Sequence, residues 1–142
     1  MQILCKIFQL LYFCITNVHL YSENLYYCYK IQDMANNKYK LQFEDIKDLI
    51  KPMGYCIASD RITVDGAKIG FMYREEKEDE DDSGWRFLAG DESEEYLDDT
   101  QRFMMFDVNY VANLDSAIIP YLKRKVGTEL ERVEGTDEFQ NY

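Results

Sequence analysis

The chain has 142 residues, 46% of them hydrophobic, with a formal charge of −11 and a pI near 4.5. That length and composition suffice for one globular domain with a real core, and the charge excludes direct binding to nucleic acid or an anionic membrane, whose own field repels such a surface. A basic protein is the natural complement.

Residues 1 to 33 differ in kind from the rest. They contain no Gly, Ala, Arg or Pro, while Phe, Tyr, Met, Ile, Asn and Lys supply 16 of the 33. Those six residues use AT-rich codons and the four absent ones GC-rich codons. The segment therefore reads as a translated upstream extension, with Met34 as the initiator and 34–142 as a single domain. A signal-like reading competes, because Ile7 to Ile15 is an apolar run behind Lys6. Thr16-Asn17-Val18-His19-Leu20 then offers no small-residue cleavage site. Gln9, Thr16, Asn17 and His19 also interrupt too early for a spanning helix. Cys5, Cys14 and Cys28 fall in this segment and leave Cys56 alone. One cysteine makes neither an internal disulfide nor a zinc site, so a reducing cytoplasm is the expected location.

Leu41, Phe43, Ile46, Leu49 and Ile50 recur at helical spacing with Glu44, Asp45, Lys47, Asp48 and Lys51 opposite. The pattern predicts an amphipathic helix of about three turns, ended by Pro52 and Gly54. Tyr55 to Ser59 reads as a buried strand with Cys56 as filler. Arg61 to Val64 and Ala67 to Arg74 flank Asp65-Gly66, a hairpin signal expected to mark the centre of the sheet. On the return strand Ala67, Ile69, Phe71 and Tyr73 would share one face. Glu75 to Gly84, with five adjacent carboxylates from Glu78 to Asp82, is expected as an exposed loop.

Trp85 to Leu88 restores strand character, with Trp85 and Phe87 on one face and Arg86 on the other, where Glu75 or Glu76 can pair with it. Gly90 to Leu97 turns into a short helix whose early acids suit its N-terminus. Phe103 to Val108 reads as a strand and Asp107 to Asn113 as a short helix. Asp115-Ser116 caps a turn holding Ile118 and Ile119, which Pro120 limits. Thr128 to Val133 is the expected final strand, and the tail from Glu134 is expected to fray. This order fits an α+β domain: a small antiparallel sheet built on a central hairpin, with a few short helices.

Residues 75 to 99 hold thirteen carboxylates against Lys77 and Arg86, a local balance of −11 that equals that of the whole chain. They also hold the single tryptophan. Catalysis finds little support, because His19 is the only histidine and Ser/His/Asp, Cys/His and the usual zinc sites lose their bases or ligands. Ser83 lacks a nucleophile elbow and reads as a turn residue. From Asp79 the spacing superficially suits a calcium loop, yet Gly90 stands where a bidentate glutamate is needed. No phosphate-binding glycine loop is present, and neither metal nor cofactor is expected.

Tyr73-Arg74-Glu75-Glu76, Asp82-Ser83-Gly84-Trp85-Arg86-Phe87, Gly90-Asp91-Glu92, Glu95-Tyr96-Leu97 and Asp107-Val108-Asn109 resemble the blocks of the Imm33 family, formerly a domain of unknown function. The similarity runs from about Gly54 to Glu134, and it brings no assigned catalytic residues. It implies a small bacterial immunity protein that binds and neutralises a cognate toxin without catalysis. Joined to the local charge and to the aromatics Tyr73, Trp85, Phe87 and Tyr96, it leads to the expectation of a basic toxin bound through Asp81, Asp82, Trp85, Asp91, Glu92, Glu95 and Tyr96. The bland alternative puts Trp85 and Phe87 in the core and leaves the acids as a solvated face. A regulatory or ligand-binding module without a toxin also stays open, as does a carboxylate enzyme of the glycosidase kind.

Overall fold

Strand β3, Asp82–Leu88, is buried at all seven positions because it fills a gap that the chain has already framed. The computed structural model describes residues 38–142; the readings of residues 1 to 33 and of Met34 as initiator lie outside them. The chain passes through β1 (Tyr55–Ser59), makes one helical turn, α1 (Asp60–Thr63), and returns through β2 (Phe71–Arg74). β3 then inserts between the two, parallel to β1 and antiparallel to β2. β4 (Phe103–Asp107) joins outside β1, and β5 (Glu129–Arg132) and β6 (Phe139–Asn141) outside β2, giving six strands in the order β4-β1-β3-β2-β5-β6. The sheet is mixed and mostly antiparallel, and with its short helices the domain is α+β.

The hairpin expected at Asp65-Gly66 is absent. Asp60–Thr63 is helical instead, because Ser59 Oγ accepts the Arg61 N–H and so caps the turn. Gly66, at φ +77°, ends it with its N–H on the Ile62 carbonyl, the role of a glycine that follows a helix. Ile69 precedes β2 and lies in the main core rather than beside Phe71 and Tyr73.

The helix expected over Leu41 to Lys51 is also absent beyond one 3-10 turn, Phe43–Asp45. The reason is tertiary. α3 (Val108–Leu114) presents Asn109 and Asn113 to this segment: Asn109 Oδ1 accepts the Leu49 and Ile50 N–H groups, and Asn113 Oδ1 accepts that of Lys47. Both amides donate to the Lys47 carbonyl. Backbone groups that a helix would have satisfied internally are satisfied by side chains 60 residues away. Two smaller corrections follow at the C-terminal end. The 3-10 helix Ser116–Tyr121 runs past Pro120, and the tail pairs as β6, with Phe139 buried and its N–H on the Tyr121 hydroxyl.

The expected alternation of β3 holds. Trp85 and Phe87 enter the main core, stacked on each other and covered by α3, by Ser116–Tyr121 and by the segment that starts at Tyr39. Trp85 Nε1 donates to the Leu122 carbonyl at 3.1 Å, so its one polar atom is satisfied. Cys56 is buried on the same side. The opposite sheet face carries a smaller cluster, Ile57, Tyr73, Leu88 and Leu97, with Phe71, Phe103 and Met105 half-buried against it. α2 (Glu94–Asp98) contributes Leu97 at one end of that face.

Candidate partner-binding face

The most distinctive string in the sequence builds the fold. Asp82 is fully buried and clasps Arg86 with both oxygens, at 2.9 and 2.7 Å, while its carboxylate also accepts the Gly84 and Glu78 N–H groups. Ser83 Oγ donates to the Tyr55 carbonyl and accepts the Trp85 N–H. Gly84 sits at φ +78°, and a Cβ there would overlap the Glu75 carbonyl oxygen; only glycine meets both demands. Downstream, Glu92 accepts the Ala89 and Gly90 N–H groups, and Asp107 caps α3 through the Asn109 N–H.

Arg86 is 3% exposed between Asp82 and Glu75, whose Oε1 accepts its Nε–H at 2.6 Å. Burial alone would raise the Asp82 carboxyl. Its hydrogen bonds with Arg86, the Arg86 charge and the two backbone N–H groups outweigh that and hold it below the usual carboxylate range. Glu75 goes the other way: burial pushes it up against the pull of Arg86. One guanidinium thus serves two buried carboxyls unequally, because Asp82 has the fuller set of donors.

Two of the residues expected to meet a partner are therefore interior. Asp82 and Trp85 are both 0% exposed, the first because the ion pair with Arg86 offsets its desolvation and the second because it fills the core. Neither offers a surface. The exposed loop accordingly ends at Asp81, and the stretch from Asp82 onward, expected as loop to Gly84, is strand.

The remaining acids do not form one patch. β3 separates them into two ends, about 20 Å apart at ~3.3 Å per residue. At one end Glu76, Glu78, Asp79, Glu80 and Asp81 are exposed. Asp79 shapes this loop, accepting the Tyr55 hydroxyl at 2.9 Å and the Asp81 and Asp82 N–H groups. Of the residues of the calcium-like spacing, the Asp79 and Ser83 side chains are thus spent on turn and strand contacts. At the other end Asp91 and Glu95 are exposed and Glu92 and Tyr96 half-buried. Arg61 binds Asp91 with two N–H groups and holds its carboxyl below the usual range. The Tyr96 ring stands edge-on to Phe103 beneath the Arg102 guanidinium.

Between these ends lies the second sheet face, where Phe71, Phe103 and Met105 are half-buried over the buried Ile57, Tyr73, Leu88 and Leu97. Register sets Glu129 opposite Tyr73 and Glu131 opposite Phe71, so β5 adds two carboxylates beside the aromatic strip. These were missed in the sequence, although the alternation of Glu129 and Glu131 about buried Leu130 is the pattern that assigns them to the outer face. Phe71, Phe103 and Met105, half-buried, thus lie on a face with acids on three sides.

Among the described residues, no helix is long and apolar enough to cross a membrane, and no group of three or more histidine, cysteine or acidic side chains is placed to hold a metal ion. Comparison with curated proteins and with solved structures gives no match. Residues 56–142 match the family model of the immunity protein Imm33 domain.

Proposed function

The chain belongs to the Imm33 immunity protein family, the match covering more than half of its length, and on that premise we propose that it binds and neutralises a cognate basic toxin without catalysis. The observation that carries the reading is the sheet face on which Phe71, Phe103 and Met105 lie half-buried over the buried Ile57, Tyr73, Leu88 and Leu97, between two acidic ends. Apolar area supplies affinity, and the flanking charge steers encounter and register. Asp81, Asp91, Glu92, Glu95 and Tyr96 are the contact residues of this reading. Asp82 and Trp85 act beneath it by holding β3 in place.

The test uses the purified product of the adjacent upstream gene as the toxin. Asp81→Asn, Asp91→Asn and Glu95→Gln in one chain are expected to weaken binding about tenfold or more, chiefly through slower association, and to flatten its dependence on salt. Calorimetry and stopped-flow mixing at two ionic strengths read this out. Unchanged affinity and unchanged salt dependence would sink the electrostatic half of the proposal.

A further inference from the structure

Where β2 runs into the acidic loop, a groove of about 420 Å³ opens against the turn that leads into β5. Tyr73, Glu75, Glu76 and Glu78 form one wall, and Val126, Gly127 and Glu129 the other. Four carboxylates line this space. Of the two cations on its rim, Arg74 has its guanidinium committed elsewhere: Nε donates to the Ser83 carbonyl, Nη1 donates to the Arg124 carbonyl, and the group lies over Trp85 on the other face. Lys77 is exposed.

Tyr73 distinguishes this groove from an ordinary acidic surface. It is only 4% exposed, and its hydroxyl is buried with no hydrogen-bond partner, one of two such side-chain atoms among the described residues. A buried hydroxyl without a partner is costly and rare. Burial, then the Glu75 charge, raise its pKa against Arg86, with Glu129 adding to the rise, so it remains a neutral hydroxyl among carboxylates. Such a group has acceptor capacity for a cationic N–H donor, and the surrounding acids supply the countercharge.

We propose that this groove binds an alkylammonium or guanidinium group, with the Tyr73 hydroxyl accepting its N–H and Glu75 and Glu129 balancing its charge. Resting on the proposed function, the group is a lysine or arginine side chain that the toxin inserts.

The site is tested without the toxin first. The full chain, labelled for NMR, is titrated with n-butylammonium chloride, and with sodium chloride at equal ionic strength. Saturable shifts confined to residues 73–78 and 126–129 are expected with the amine alone. Tyr73→Phe removes one oxygen that has no partner in the free protein, so its melting temperature should be equal or higher, while amine affinity falls about threefold or more. Shifts that sodium reproduces, or amine binding that Tyr73→Phe leaves intact, would overturn the site. Tyr73→Phe that loses the amine yet holds the upstream gene product at wild-type affinity would overturn the assignment to the toxin. A toxin that binds neither chain defeats the immunity reading alone, since the amine titration stands independently.

Discussion

Arg86→Met is expected to cost about 3–5 kcal/mol of folding stability at neutral pH, because it leaves Asp82 and Glu75 buried without a cation. The loss should depend on pH in a defined direction. In the native protein Asp82 is held below its ordinary range. Its contribution is present above the unfolded value of about 3.9 and disappears as pH falls through the lower folded one. Glu75 is raised, so it opposes stability as pH climbs from about 4.3 through its folded value. Without Arg86 both carboxyls shift upward and both favour acid. Urea unfolding at pH 7 and pH 4.5 should therefore show the gap between Arg86→Met and the natural chain narrowing in acid. An equal gap at both values would show that Arg86 acts by packing alone.

Trp85→Ala is expected to lose about 3–5 kcal/mol, the range for emptying an aromatic site in a core, since Trp85 is fully buried and stacked on Phe87. The milder Trp85→Phe keeps most of the ring contact and loses the hydrogen bond to Leu122. It should lower the unfolding midpoint while leaving toxin affinity unchanged for the folded fraction. This outcome separates the core role from the interface role that the acidic setting of Trp85 suggests. A Trp85→Phe chain with native stability and weakened binding would return the residue to the interface.

What the sequence made legible was local. β1, β4, the short helices α2 and α3, the Asp115 cap of Ser116–Tyr121 and the division of Trp85 and Phe87 from Arg86 all rest on neighbours within a few positions, where periodicity and capping chemistry act. A pairing of Arg86 with Glu75 or Glu76 was legible for the same reason, since alternation leaves Arg86 one face to occupy, and the structure selects Glu75. The failures were non-local. Nothing within residues 41 to 51 reveals that Asn109 and Asn113 will take their backbone groups. Asp65-Gly66 serves equally as a hairpin turn and as a helix stop, and the Ser59 cap decides between them. Asp82 reads as one more loop acid until Arg86 is placed against it. The parallel pairing of β1 with β3 depends on β2 having left a gap, which no window of sequence contains.

These misreadings share one consequence for the site. Charge that is contiguous in sequence, from Glu75 to Asp99, is parted by a buried strand, while Glu129 and Glu131, distant in sequence, join it in space. Within the most distinctive string, Asp82, Ser83 and Gly84 hold β3 in place. The exposed acids and the strip between them carry partner recognition in the proposed function.

Amide hydrogen exchange of the full chain, with and without the upstream gene product bound, tests that division most directly. The account predicts new protection in residues 76–81 and 91–96 and along β2 and β5, bordering the face of Phe71 and Phe103. Protection confined to Asn109–Leu122, the layer that covers Trp85 on the opposite side, would place the partner on the wrong face of the sheet and contradict it.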